Sequence, residues 1–156
     1  MIPEEHRRGV YLISTDPARL DPGAIHAFLS TNSHWALGIP KAVVAKSIAH
    51  SLPFGVYATD GSQVGFARVI TDYATFAYLC DVYVLPAHRG QGLARWLMQC
   101  VVASPRLQGL RRWMLATRDA HRLYEEVGFR TPGNPAALME IVRPGVYRLD
   151  AGRPVP

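Results

Sequence analysis

Clusters of apolar residues, separated by turn signals, predict short strands and amphipathic helices that alternate along the chain. Strands are expected where β-branched and aromatic residues gather, over residues 9–14, 54–58, 63–70, 76–85, 112–117 and 137–142. Helices are expected where apolar residues recur every three or four positions, over residues 22–31, 41–51, 91–103 and 120–126. The order β-αα-βββ-α-β-α-β predicts an α/β (α+β) fold with a mixed, mostly antiparallel central sheet and helices on both faces.

Residues with capping preferences place the ends of several of these elements. Asp21 followed by Pro22 is typical of a helix start, and Pro40 opens the second helix. Asp119 is expected to cap the last helix, and Gly128 follows that helix at its C′ position. We expect one domain over residues 1–156, with a core from about 9 to 142 and a flexible tail over 143–156.

A glycine-containing turn joins the strand at 76–85 to the helix at 91–103. It reads Arg89-Gly90-Gln91-Gly92-Leu93-Ala94 and opens directly into the helix. A helix N-terminus has free backbone N–H groups and a positive partial charge, and glycine lets the main chain approach an anion closely. The turn lacks the Gly-Lys-Ser/Thr of a Walker loop and the third glycine of a dinucleotide site. It therefore predicts a cradle for another phosphorylated ligand.

Two motifs resemble signatures of the GCN5-related N-acetyltransferase (GNAT) superfamily. The first, Arg/Gln-x-x-Gly-x-Gly/Ala, is matched by Arg89, Gly92 and Ala94. The second, Ala-x-x-Leu-Tyr-x-x-x-Gly-Phe, is matched by Ala120, Leu123, Tyr124, Gly128 and Phe129. The resemblance extends over residues 9–142, is most specific from 76 to 130, and agrees with the predicted order of elements.

This resemblance implies acetyl-CoA as cofactor and an amine as acetyl acceptor, attacked directly within a ternary complex. The expected cofactor-binding residues are the backbone of the central strand, the glycine loop and one polar residue before the last helix: Val82, Tyr83, Val84, Arg89, Gly90, Gln91, Gly92, Leu93, Ala94 and Thr117. Thr117 stands where many relatives have asparagine, so a hydroxyl replaces the amide there. No metal site is expected.

Tyr124 is the candidate acid that the resemblance implies, near the sulfur of the cofactor. A phenol with a pKa near 10 and an alkyl thiol with a pKa near 8.5 are well matched for proton transfer. The alternative is that Tyr124 only packs against the cofactor and hydrogen-bonds to it.

Asp81 is the only charged residue in the 76–85 strand. A buried carboxylate needs a partner, so Asp81 either acts as the base or amine-binding residue or forms structural hydrogen bonds. Glu140 and His121 are further candidates for the base. Trp35, in a polar loop, is expected to form a wall of the substrate pocket or to fold back onto the core.

The positive net charge raises the question of nucleic-acid binding. Net charge is +5 and the pI about 9.6, but the basic residues are scattered arginines without interleaved aromatics, a pattern that does not favour nucleic-acid binding. An anionic cofactor with several phosphate groups explains the positive net charge equally well. A CoA-binding sensor or interaction module without turnover is the alternative to an enzyme.

The two cysteines and the hydropathy of the chain lead to expectations about its location and partners. Cys80 and Cys100 lie in apolar patterns without paired spacing, and neither a targeting signal nor an 18-residue apolar run is present. We expect a cytoplasmic, non-membrane protein with a small-molecule or peptide amine as partner, either monomeric or homodimeric. The acceptor itself is left open.

Overall fold

The computed structural model describes residues 2–148, in which six strands form one sheet in chain order. They are β1 Glu5–Arg8, β2 Tyr11–Ser14, β3 Leu52–Tyr57, β4 Gln63–Thr71, β5 Phe76–Val84 and β6 Arg112–Met114. Neighbouring strands are antiparallel from β1 to β5, and β5 and β6 are parallel. This confirms the predicted mixed, mostly antiparallel sheet.

Four α-helices complete the described part of the chain: α1 Pro22–Asn32, α2 Lys41–Ala49, α3 Leu93–Ala103 and α4 His121–Glu125. At the start of α1, the Asp21 carboxylate accepts a hydrogen bond from the backbone N–H of Ala24 at 2.9 Å, as its sequence predicts. Within residues 2–148, no helix combines the length and apolar character required to cross a bilayer.

Each face of the sheet has its own apolar core. On one face, α3 packs Leu97, Met98 and Val101 against the inward residues of β3, β4 and β5, forming the first core. On the other face, α1 and α2 enclose Phe66 and Tyr83, forming the second core. Burying one such apolar side chain contributes about 1.5–3 kcal/mol to the stability of the fold. Since α3 lies over one core and α1 and α2 lie over the other, helices cover both faces of the sheet, as predicted.

The predicted first strand, residues 9–14, is part of a hairpin whose outer strand the apolar pattern missed. β1 consists of the polar residues Glu5-His6-Arg7-Arg8, and Gly9 turns the chain into β2 with a φ of 56°. An edge strand contacts the core through few side chains, so it can be polar throughout. For this reason its sequence carries no strand signal.

The predicted last strand, residues 137–142, is wrong. A 3-10 turn covers Pro135–Ala137, and no strand follows it within the described residues. A short apolar run forms a strand only where it can pair with a neighbouring strand. The strand predicted at 112–117 is likewise shorter, because pairing with β5 ends at Met114.

The predicted flexible tail divides at the boundary of the described residues. Val146–Arg148 form a 3-10 turn, and Tyr147 packs against the second core, so this part of the tail is placed on the fold. Residues 149–156 lie outside the described residues.

A bulge at Asp81 changes which faces the residues of β5 occupy. The ladder between β4 and β5 passes from the Arg68–Cys80 pair to the Phe66–Tyr83 pair, so two residues of β5 oppose one of β4. Asp81 accommodates the extra residue with a φ of 54°, in the left-handed region that aspartate tolerates better than most residues. The bulge turns Tyr83 into the second core and directs Asp81 away from the ladder.

Candidate active site

The sheet opens into a cleft where β5 and β6 separate. Their pairing covers only Phe76–Tyr78 and Arg112–Met114. Beyond it lies a cavity of about 430 Å³, here called the reaction cleft, whose lining includes Trp35, Tyr78, Asp81, Val82, Thr117 and Tyr124. Backbone groups on this side of β5 have no ladder partner beyond Tyr78 within the described chain, so they are available to a ligand.

Asp81 lies in this cleft with both carboxylate oxygens occupied. Oδ2 accepts a hydrogen bond from Arg68 Nε at 2.8 Å, and Oδ1 accepts one from Trp35 Nε1 at 3.0 Å. The side chains of Arg68 and Asp81 are only 13% and 9% exposed. The buried carboxylate therefore has the charged partner that its burial requires.

Trp35 belongs to neither core, so the prediction that it folds back onto the core is wrong. It is 46% exposed and lines the reaction cleft. The hydrogen bond to Asp81 fixes the indole, and the ring of His34 stands edge-on to it at 5.1 Å between centroids. An amphipathic ring held in this way forms one wall of the cleft.

Tyr124 is half-buried in α4 and lines the same cleft. Its ring packs edge-on against Phe129, with centroids 6.1 Å apart. Burial raises the pKa of the Tyr124 phenol, and the negative charge of Asp119 adds to this effect. The phenol therefore keeps its proton at neutral pH and is suited to donating it.

The thiol of Cys80 lies in the cleft wall but is unsuited to nucleophilic attack. Burial raises the pKa of Cys80 to about 12, and the positive charge of Arg68 only partly opposes this rise. The thiol lies 3.6 Å from the backbone carbonyl oxygen of Arg68, to which it donates a weak hydrogen bond. A neutral, inward-bonded thiol is consistent with a structural role.

Thr117 lies in the cleft and hydrogen-bonds to Ala120, the residue that precedes α4. Its Oγ1 accepts a hydrogen bond from the backbone N–H of Ala120 at 3.0 Å. Asp119 was predicted to cap α4, and that prediction is wrong: Ala120 is the N-cap residue, no side chain caps the helix, and Asp119 is exposed and contacts Arg118 at 3.5 Å. The Thr117 hydroxyl still faces the cavity with one free lone pair and its proton.

A second cavity, of about 570 Å³, surrounds the glycine loop and is here called the cradle cavity. Gly90 and Gly92 have φ values of 77° and 72°, and Gly92 begins α3 without a side-chain cap. No atom lies within 4 Å of where a Cβ of Gly90 would stand. The main chain at Gly90 is therefore open and no side chain caps the first N–H groups of α3, as an anion site requires.

Contacts from β1, β2 and β5 hold this loop in shape. Arg89 Nε donates to the backbone oxygen of Val84 at 2.8 Å, and Arg8 Nη2 donates to that of Gln91 at 3.1 Å. Tyr11 hydrogen-bonds through its hydroxyl to His88 Nδ1 at 2.9 Å. The residues of the loop are thus positioned before any ligand binds.

Three arginine side chains that the sequence motifs did not identify lie at or near the cradle cavity. Arg95 and Arg122 line the cradle cavity, and the Arg8 guanidinium stacks 4.8 Å from the centroid of the Trp96 ring. Arg95 is paired with Glu126, with Nη2 and Oε1 3.0 Å apart. Arg8 lies more than 80 residues from the loop in sequence, so only the sheet brings the two together.

The predicted site residues therefore fall into three groups. The reaction cleft contains Trp35, Asp81, Val82, Thr117 and Tyr124. The cradle cavity contains Val84, Arg89, Gly90, Gly92, Leu93 and Ala94. Two predicted residues point elsewhere: the Tyr83 ring stacks on Phe28 at 3.9 Å in the second core, and the Gln91 side chain bonds to Tyr11. In residues 2–148, no three potential metal-ligating side chains converge.

Comparison with known proteins gives matches over most of the chain. Residues 50–131 match the family model described as an acetyltransferase (GNAT) domain. A candidate acetyltransferase of Gibberella zeae is 40% identical over 143 residues, which cover 78% of this chain and 80% of the relative.

Solved structures show the same similarity. The crystal structure of a candidate GNAT-family acetyltransferase from Xanthomonas campestris pv. campestris is 56% identical, with a TM-score of 0.85 over 88% of this chain and 96% of that one. A candidate acetyltransferase from Clostridium acetobutylicum, solved with acetyl-CoA, has a TM-score of 0.57 over 85% of this chain and 94% of that one. At 13% identity this last likeness shows the fold alone.

Proposed function

Because the chain belongs to the GNAT acetyltransferase family, we propose that it moves an acetyl group from acetyl-CoA to a primary amine. The amine attacks directly while both substrates are bound. The observation that carries the proposal is that residues of β5 and of α4 line both cavities. Val82 and Tyr124 line the reaction cleft, whereas Val84 and Arg122 line the cradle cavity.

The cradle cavity fits the diphosphate of coenzyme A. The open main chain at Gly90 and the uncapped start of α3 supply N–H donors, and Arg8, beside Gly92, and Arg122 add positive charge. We assign the grip on the diphosphate to the main chain between Arg89 and Ala94, and Arg89 itself to shaping the loop. The backbone of Val82 and Val84 and the hydroxyl of Thr117 are proposed to hold the pantetheine arm.

Acetyl-CoA supplies a thioester whose carbonyl carbon accepts an amine and whose sulfur leaves as a thiol. Free amide groups on the open side of β5 polarise that carbonyl, since they are the donors lining the cleft at this strand. Tyr124 donates its phenolic proton to the departing sulfur. The amine loses its own proton as the new C–N bond forms, so the proton count is balanced.

Asp81 and Trp35 are proposed to receive the acceptor. Arg68 already balances the Asp81 charge, which disfavours Asp81 as the group that carries the amine proton away. Asp81 Oδ1 lies at the cleft and can also accept a hydrogen bond from the amine, while the indole of Trp35 covers the aliphatic part of the acceptor. In this assignment Asp81 orients the amine, and water in the open cleft takes its proton.

The test is acetyl-CoA turnover over a panel of primary amines: amino acids, polyamines, aminoglycosides and peptide N-termini. Free thiol release that requires an amine, and an acetylated product seen by mass spectrometry, are expected for at least one class. A control without amine measures simple hydrolysis. Calorimetric binding of CoA without release for any amine would favour a non-catalytic CoA-binding module.

We also propose a reducing compartment such as the cytoplasm as the place of action. Cys80 and Cys100 are free thiols, and burial raises the pKa of both, that of Cys100 to about 11. A cytosolic supply of acetyl-CoA fits the proposed reaction.

A further inference from the structure

Residues 138–146, here called the C-terminal segment, connect two sides of the reaction cleft. Before the segment, Pro132 lines a groove beside β6 together with Thr117, which also lines the reaction cleft. After the segment, the backbone oxygen of Tyr147 lies close to Gly38, in the loop after α1 that forms one wall of the cleft. The segment therefore leads from the α4 side of the cleft to the side of this loop.

Glu140 is the acid that the C-terminal segment brings to the cleft. Burial raises the pKa of the Tyr78 phenol, and the nearby acidic groups of Cys80, Asp81 and Glu140 raise it further. Because the effect of a charge falls off with distance, Glu140 lies near Tyr78, which lines the cleft. Glu140 is exposed and forms no ion pair within residues 2–148. Its carboxylate is therefore available to a ligand.

The other charges at the cleft are balanced in pairs. Arg68 balances Asp81, with Nε and Oδ2 2.8 Å apart. Arg118 and Asp119, which also line the cleft, lie 3.5 Å from each other through Nη2 and Oδ2. With histidine counted as neutral, Glu140 therefore gives the described part of the cleft a net negative charge.

This charge balance selects among amines by the group that they carry at their far end. A carboxylate or phosphate there needs an unpaired cation, and both arginines at the described part of the cleft already have acidic partners. An uncharged end leaves Glu140 without a partner. A second ammonium group is attracted by Glu140, so the cleft favours an acceptor with two positive charges.

We propose that the acetyl acceptor is an aliphatic diamine, with one amine at Asp81 and its second ammonium group at Glu140. The assignment rests on the proposed function, because the amine at Asp81 is the one that attacks acetyl-CoA. The alkyl chain between the two groups lies against the indole of Trp35, which is 46% exposed and held by its hydrogen bond to Asp81.

Glu140 determines specificity in this assignment and takes no part in the chemistry. One C–N bond forms as the C–S bond of the thioester breaks, coenzyme A leaves as a thiol, and the far ammonium group keeps its proton. The product is a monoacetylated diamine. It has lost the charge at Asp81 and keeps the one at Glu140.

The first experiment compares three amines that share a chain of five methylene groups. Cadaverine ends in an ammonium group, hexylamine in a methyl group and aminocaproate in a carboxylate. We expect kcat/KM for cadaverine to exceed that for hexylamine about fivefold, because the far ammonium group pairs with Glu140 in a partly exposed site. Aminocaproate should be the poorest of the three, because its carboxylate is repelled by Glu140.

Putrescine, pentylamine and aminovalerate repeat this comparison with a chain one methylene group shorter. Preference for the diamine in at least one set is expected. Hexylamine and pentylamine equal to or better than their diamines, or an amino acid that is best in its set, would overturn the proposal.

The second experiment replaces Glu140 by glutamine. Glu140→Gln should lower kcat/KM for the preferred diamine about fivefold, through KM, and leave the value for the matching monoamine unchanged. Glu125→Gln is the matched control, since Glu125 is an exposed acid on α4 that does not line the reaction cleft. It should keep the wild-type preference, and circular dichroism checks that both variants fold. A preference that persists in Glu140→Gln would refute the role of Glu140.

Calorimetric titration of the same amines into the protein with CoA present gives a readout that does not need turnover. The diamine should bind about fivefold more tightly than the monoamine, and added salt should reduce this difference. Turnover of monoamines without any preference for diamines would overturn the diamine site and leave the proposed function intact. Tighter binding of the diamine without thiol release from any amine would instead refute the proposed function and support the site.

Discussion

Single residues in the cleft have environments that their sequence neighbours do not reveal. Asp81 was identified because it is the only charge in an apolar strand, but its partners Arg68 and Trp35 come from β4 and from the loop after α1. Tyr124 was identified from a motif, and its burial in the cleft gives the physical reason why it retains a proton. The roles of both residues are tested by substitution.

Replacing Tyr124 by phenylalanine should lower kcat about 100-fold and change the affinity for CoA little, because only proton donation is removed. Tyr78→Phe is the control, since this tyrosine lines the same cleft. The wild-type kcat should hold up to about pH 10, because burial raises the pKa of Tyr124 above that ordinary value. Unchanged turnover in Tyr124→Phe would remove the acid role.

Substitutions at Arg68 and Asp81 should have non-additive effects on the free energy of unfolding. Arg68→Gln leaves a buried carboxylate without its cation, so the free energy of unfolding should fall by about 3–5 kcal/mol. Asparagine tolerates the backbone at position 81, and the double variant Arg68→Gln/Asp81→Asn should recover much of this loss. Urea unfolding measures both; strictly additive losses would contradict the coupling.

Asp81→Asn also separates amine binding from proton removal. If Asp81 orients the amine, the variant should raise the KM of the acceptor and leave the shape of the pH–rate profile unchanged. Loss of the rise in kcat/KM with increasing pH would identify Asp81 as the base instead.

Elements rather than side chains form the proposed cofactor site. The start of α3 offers N–H groups, the end of β5 offers free backbone, and β1 and β2 hold the loop between them through Arg8 and Tyr11. Because the main chain makes these contacts, the side chains nearby can be apolar. A motif therefore locates the site, while the supporting strands are visible only in the fold.

Gly92→Glu should abolish measurable CoA binding, since it brings a side chain and a negative charge to the start of α3. Gly61→Glu is a matched control, because Gly61 has a similar φ of 83° and open space around it but lies in the β3–β4 turn. Both variants should lose about 1–3 kcal/mol of stability from backbone strain. Normal calorimetric affinity for CoA in Gly92→Glu would count against the cradle.

At the scale of the whole molecule, two cores on opposite faces hold a sheet that opens between β5 and β6. The first core supports the glycine loop through α3, and the second core supports the loop that carries Trp35 through α1 and α2. The cleft lies where these two halves meet.

The sequence alone determined the elements with strong periodicity and the glycine loop, because hydrophobic spacing, prolines and glycines act over a few neighbouring residues. It located α1, α3, β4 and β5 well, and it identified the residues that the structure gathers in the two cavities. It failed at β1, whose polar residues carry no apolar pattern, and at residues 137–142, whose pattern predicts a strand but supplies no partner.

Only the tertiary structure decided what depends on distant contacts. It joined Asp81 to Arg68 and Trp35, turned Tyr83 into the second core through the bulge, and left the start of α4 without a side-chain cap. Within the described residues, it also left the outer edge of β6 and residues 138–142 without a neighbouring strand. Local sequence sets backbone preference, whereas hydrogen-bond partners and burial are decided by which segments the sheet brings together.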